Sequence, residues 1–197
     1  MKDPHYDGGS FRSVVSTGPV YFRILHIQVQ VYGAEVHQFF LQLALGMTLM
    51  VEPQQNTEVL KWAKYWISEA AASGLPDAQY QLAQMYLTGI GTETSDEEAF
   101  RLFLESAEAG DADGMYMVAK MYEMGRYVEC DPCKAMEWYL KAVEIGNEAA
   151  MFNIGLLYEN GIGVEANRAE TISWFILAHH MGKPEAKRAL TRLGEVF

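Results

Sequence analysis

Large and small apolar positions recur along most of this chain with a step of 36 residues. Trp66 becomes Leu102, Trp138 and Trp174; Ala70 becomes Ser106, Ala142 and Ala178; Ala78 becomes Gly114, Ala150 and Ala186; Leu82 becomes Val118, Ile154 and Leu190. The same step carries Tyr86 to Tyr122 and Tyr158, and it places glycines at 74, 110, 146 and 182 and again at 89, 125 and 161. Small stays small and large stays large, the signature of stacked units whose backbones approach closely only at Ala, Gly or Ser.

Each unit reads as one helical hairpin. Ala78, Leu82, Met85 and Tyr86 follow the i, i+4, i+7, i+8 spacing of one helical face, and Gly114, Val118, Met121 and Tyr122 repeat it. This is the first helix, A. The second, B, opens at Ser95-Asp96-Glu97-Glu98, a capping box in which Ser95 caps the helix and Glu98 is expected to reach back. In the next unit Asp131 precedes Pro132, which suits a first helical position. Helices B end at Gly110 and Gly146, as left-handed caps require. Between A and B, Thr88-Gly89-Ile90-Gly91 and Asn160-Gly161-Ile162-Gly163-Val164 supply glycines for positive φ, whereas Gly125-Arg126-Tyr127-Val128 keeps only the first.

The pattern A-x-x-x-L-A/G-x-x-Y-x-x-G-x-G, then an acidic N-cap, then A-x-x-W-Y/F-x-x-A and Gly, resembles Sel1-like repeats, relatives of the tetratricopeptide repeat. Residues 150–182 match it best. The resemblance implies an all-α fold, an α-solenoid of about three and a half antiparallel helix hairpins. The expected units are about 34–74, 75–110, 111–146 and 147–182, with a capping helix at 183–197 whose Lys187, Arg188 and Arg192 give it a polar outer face. The first unit is degenerate: Leu45 to Leu49 reads as helix A, Asn56 to Ser73 as helix B, and Glu52-Pro53-Gln54-Gln55 replaces the turn glycines. Residues 1–33 fall outside the array. There Ile27 to Val31 alternates like a strand, and an ordered helix, an interaction segment and an irregular arm all remain open.

Charge and chemistry narrow the functional classes. The net charge is −11, from 26 acidic and 15 basic side chains, and residues 92–150 hold 14 of the acids against 5 bases. No basic stripe is present to neutralise a phosphate backbone, so nucleic acid is not an expected partner. A basic protein could be steered to the acidic middle, although an acidic face that only confers solubility is the plainer reading. Met1 to Gly9 does not resemble a secretory signal, and the apolar stretch Phe39 to Val51 is too short to span a membrane. A cytoplasmic protein that does not enter membranes is expected.

No catalytic, cofactor or metal site is expected. Cys130 and Cys133 form a single C-x-x-C without two further ligands, and His5, His26, His37, His179 and His180 stand outside the repeat core positions. His179 and His180 fall at the end of a helix B, where positive charge complements the free carbonyls. The cysteine-rich Sel1-like proteins pair cysteines within each repeat, which this chain does not do.

What remains is a surface. Opposite the Ala78/Leu82/Met85 face of helix A stand Tyr80, Gln84 and Leu87, followed in register by Tyr116, Lys120 and Glu123, by Phe152, Leu156 and Glu159, and by Arg188 and Arg192. The resemblance implies that this face lines a concave groove. Its aromatics are candidate anchors for a protein or peptide, with Lys120, Arg188 and Arg192 fixing an acidic group; packing between adjacent helices A is the competing role. The function expected is a scaffold or adaptor. An acidic inhibitor or immunity-type protein that masks a basic partner with the belt between Glu93 and Glu148 is the alternative, and a small-molecule-binding or hydrolytic protein is a further one.

Overall fold

The computed structural model describes residues 57–195, and these form eight helices: α1 Thr57–Ala72, α2 Pro76–Thr88, α3 Asp96–Glu108, α4 Ala112–Met124, α5 Pro132–Glu144, α6 Glu148–Asn160, α7 Arg168–His180 and α8 Pro184–Arg192. No strand occurs among the described residues. The expectations for residues 1–33, for Leu45 to Leu49 and for the turn at 52–55 lie outside them. The chain divides into two compact units between Ser73 and Gly74, with α1 in the first and α2–α8 in the second. Helix α1 covers the stretch Asn56 to Ser73 expected to be helical, and it buries Ala63, Ile67, Ala70 and Ala71 along one stripe.

In the second unit α2 packs on α3, α4 on α5 and α6 on α7 as hairpins, while α3 meets α4, α5 meets α6 and α7 meets α8 across repeat boundaries. The large buried side chains stand at the repeat positions: Val118, Ile154 and Leu190 on helices A, and Phe103, Tyr139 and Phe175 on helices B. Each fully buried side chain of this size contributes about 1.5–3 kcal/mol from burial. Small residues mark the boundaries. A Cβ at Gly114 would lie 2.7 Å from Ser106 Oγ and 2.9 Å from the Ala107 nitrogen, so only glycine admits this approach of α4 to α3.

Capping is repeated as faithfully as packing. At the ends of α3, α5 and α7 the residue after the cap is a glycine at positive φ, Gly110, Gly146 and Gly182. In each case the following N–H reaches back to the carbonyl of Ser106, Ala142 or Ala178, the Schellman arrangement. At the starts of α3, α5 and α7, the side chains of Ser95, Asp131 and Asn167 accept backbone N–H bonds within the first turn. Such a cap stabilises a helix by about 1 kcal/mol.

One part of the expected capping box is corrected. Ser95 Oγ accepts from the Glu98 N–H at 3.2 Å, but Glu98 does not reach back; its Oε2 takes Arg101 Nη2 at 2.7 Å. The reason lies in the turn. The Ser95 N–H is already donated to the Tyr86 carbonyl at 3.0 Å, and Asp131 and Asn167 donate in the same way to Tyr122 and Tyr158. The recurrent tyrosine therefore lends its carbonyl to close the A–B turn, leaving a capping glutamate nothing to accept.

Candidate functional site

The A-helix face of α2, α4, α6 and α8 carries all nine residues singled out from the sequence. Tyr80, Tyr116 and Phe152 are half-buried, and each ring leans on the buried B-helix ring of its own hairpin: Tyr80 on Phe103 at 5.5 Å, Tyr116 on Tyr139 at 5.8 Å and Phe152 on Phe175 at 5.2 Å. The aromatic ladder is thus seated on the core, with part of each ring at the surface. Packing and presentation are combined in one side chain.

The polar rungs are tied down. Gln84 Nε2 donates to the Tyr80 hydroxyl at 3.2 Å, and Lys120 Nζ pairs with Glu123 Oε2 at 3.3 Å. Arg192 Nη2 sits between both Glu159 oxygens, at 2.6 and 2.7 Å. Two of the three candidate cations are therefore held closely by carboxylates of this chain, at 3.3 Å or less. Arg188 is the most loosely held: its side chain is 77% exposed and pairs with Glu185 at the longer distance of 3.8 Å. Leu156 is half-buried against the cluster around Phe175, and half-buried Leu87 offers its carbonyl to Arg126 Nη2 at 3.4 Å.

A buried hydroxyl on this face had only a faint sequence signal. Tyr139 stands where the neighbouring repeats have Phe103 and Phe175; it is fully buried and donates its hydroxyl to Glu123, while Asn153 Nδ2 donates back to it at 2.9 Å. Burial and then the Glu123 carboxylate push the phenol well above its usual range, so it stays a donor. With Lys120 and Tyr116 these groups make a polar floor in the middle repeat. The preceding repeat has an apolar floor, with Leu87 in the place of Glu123 and Met117 in the place of Asn153, whereas the following repeat keeps a carboxylate, Glu159, with Phe175 in the place of Tyr139.

The second missed feature is the middle turn. Tyr127 occupies the position of Gly91 and Gly163 and adopts their left-handed backbone, with φ 65° against 72° and 70°. A non-glycine residue pays about 1–2 kcal/mol for that conformation. The Tyr127 ring packs on Phe100 and its hydroxyl donates to Glu97 at 3.1 Å, while Arg126 binds Asp96 at 2.6 Å. Both contacts reach the preceding repeat.

Cys130 and Cys133 are exposed, and their sulfurs face different carbonyls, those of Glu123 and Gly163. His179 and His180 lie in the last turn of α7. Among the described residues no group of three or more His, Cys, Asp or Glu is placed to hold a metal ion, and no helix is long and apolar enough to cross a membrane.

The repeat register seen in packing, caps and turns is matched by the Sel1 repeat family at residues 76–111, 112–147 and 148–182, more than half of the chain. The chain belongs to the Sel1 repeat family. Similar solved Sel1-type structures include a Sel1 repeat protein of Oxalobacter formigenes, 27% identical over 74% of this chain and 67% of its own, with a TM-score of 0.65. A second is c5321, a protective antigen of uropathogenic Escherichia coli with an SLR fold, 25% identical over 96% of this chain, with a TM-score of 0.73. This chain spans only 44% of that protein's length. The cysteine-rich protein B of Helicobacter pylori shares the fold at 23% identity and a TM-score of 0.52, over 64% of this chain and 96% of its own. Among curated proteins none matches the sequence. Sel1 repeats generally serve protein–protein interaction, and their fold is typically a non-catalytic scaffold.

Proposed function

We propose that this Sel1 array is a non-catalytic scaffold or adaptor that binds a protein or peptide along the A-helix face. The observation that carries the reading is the seating of Tyr80, Tyr116 and Phe152 on Phe103, Tyr139 and Phe175. Rings held in this way lose little freedom when a partner covers their open edges, which is what makes aromatic anchors effective.

The chemistry changes from rung to rung: Gln84 and Leu87 first, Lys120 and Glu123 over the Tyr139 hydroxyl next, then Leu156, and Arg188 at the capping helix. A face graded in this way selects one orientation of an extended or helical segment, with an acidic group of the partner toward Arg188. Stacked hairpins of this kind produce extended concave surfaces suited to such segments.

Truncating the aromatics would also remove core contacts, so the informative variant changes only the polar rungs. Gln84→Ala, Lys120→Ala and Arg188→Ala combined should leave far-UV circular dichroism unchanged and lower recovery of co-purified partner at least about tenfold. Equal recovery from the variant and the parent would remove the groove assignment.

A further inference from the structure

The A–B turns form a second surface that the groove reading does not use. They run from Gly89 to Ser95, from Gly125 to Asp131 and from Gly161 to Asn167, and the second and third are each stacked against the repeat before. Arg126 and Tyr127 hold Asp96 and Glu97, and a Cβ at Gly163 would lie 2.7 Å from Pro132 Cβ. The turns are therefore rungs of one continuous edge.

This edge exposes apolar side chains in every turn, Ile90 and Ile162 in register and, in the middle turn, Tyr127 one position beyond Arg126. Ile90 is 36% exposed, Ile162 41%, and between them Tyr127 is 54% and Met124 66% exposed. Beside them, again 36 residues apart, stand Glu93, Glu129 and Glu165, all exposed. None of these three makes an ion pair with another described residue. The cations of the same edge are engaged elsewhere: Arg126 with Asp96, Lys134 with Asp131, and Arg168 with Glu195 and the Leu193 carbonyl. The edge thus offers an apolar ridge flanked by three free carboxylates.

We propose that this turn edge is a docking surface for a basic amphipathic helix, whose apolar stripe covers Ile90, Tyr127 and Ile162 while its Lys or Arg side chains meet Glu93, Glu129 and Glu165. Charge complementarity selects this occupant: the ridge is apolar enough to bind a helix face, and the charges beside it that are left without an ion pair among the described residues are all negative. Size agrees with it. Hairpins pack at about 10 Å, so three turns extend over roughly 20 Å, the length of a helix of about 14 residues. At the centre, Tyr127 keeps a left-handed backbone that places an exposed ring where the neighbouring repeats have glycine. The surface is distinct from the A-helix groove, and the two stand or fall separately.

The test uses the full chain and, as probe, a short fluorescein-labelled peptide with leucines at i, i+3, i+4 and i+7 and lysines elsewhere, followed by anisotropy at physiological salt. Three variants are compared. The first, Ile90→Ser/Tyr127→Gly/Ile162→Ser, strips the ridge at positions whose backbone the new residues adopt without strain. The second, Glu93→Gln/Glu129→Gln/Glu165→Gln, neutralises the flanks. The third, Glu108→Gln/Glu137→Gln/Glu144→Gln, removes the same charge from exposed sites on helices B. The proposal expects the first two to weaken binding at least about tenfold each and the third less than about twofold. Equal weakening by the second and third variants would reduce the effect to net charge and overturn the proposal. Failure of the parent chain to bind the probe, or insensitivity to the first variant, would overturn it as well.

Discussion

The repeat boundaries invite a direct test at Ser106 and Gly114, where α3 meets α4. At the next two boundaries the equivalent pairs are Ala142 with Ala150 and Ala178 with Ala186, all fully buried. The first boundary has moved volume from one partner to the other. Gly114→Ala gains about 1 kcal/mol of helix propensity. Its methyl, however, enters space already filled by Ser106 Oγ at 2.7 Å, the Ala107 nitrogen at 2.9 Å and Ser106 Cβ at 3.0 Å. Overpacking of this kind costs about 1–3 kcal/mol, and a backbone nitrogen cannot swing aside, so the net loss should be about 1–2 kcal/mol. Ser106→Ala alone gives up the contacts of Oγ to Asp111 Oδ2 at 2.8 Å and to the Pro76 carbonyl at 3.0 Å, about 1 kcal/mol. The double variant recreates the Ala–Ala pair of the following boundaries. Its cost should fall short of the sum of the single costs by about 1 kcal/mol. Urea unfolding followed by circular dichroism measures this, provided that the m-values agree, since arrays can unfold repeat by repeat. Additivity within about 0.3 kcal/mol, or a stabilising Gly114→Ala, would refute the close-approach argument.

Two further outcomes follow from the same geometry. Gly155→Ala places a Cβ 2.6 Å from two atoms of the buried Phe175 ring, so despite its gain in helix propensity it should lower the urea midpoint, by about 1–2 kcal/mol in stability. Tyr139→Phe should cost about 1 kcal/mol by withdrawing the hydroxyl from Glu123 and Asn153, whereas Tyr139→Phe/Glu123→Leu, which copies the Phe103 and Leu87 pattern of the preceding repeat, should recover part of that loss in the same unfolding assay.

The architecture was legible because packing writes itself into residue size. Ser106/Gly114 and Ala142/Ala150 keep the boundary small in every repeat, and Val118, Ile154 and Leu190 keep the centre large. The hairpin ends were legible for a similar reason, since Gly110 and Gly146 stand where only a left-handed residue fits. The candidate face was legible in position but not in role. Periodicity puts Tyr80, Tyr116 and Phe152 on one face, yet a ring that packs and one that binds recur with the same step. The structure shows that these rings are half-buried on B-helix partners. Pairing was hidden altogether, because Lys120–Glu123 and Arg192–Glu159 depend on rotamers and on contact between successive helices A. The middle turn misled by composition. Losing a glycine at 127 suggested a different turn, whereas the backbone kept its shape with Tyr127 in the left-handed conformation.

The central claim, that a protein partner lies along the A-helix face, is tested most directly by hydrogen exchange on the isolated chain and on its purified complex. The account predicts added protection in α2, α4 and α6, with exchange on the outer faces of α3, α5 and α7 unchanged. Protection confined to α3, α5 and α7, with α2, α4 and α6 unaltered, would contradict it.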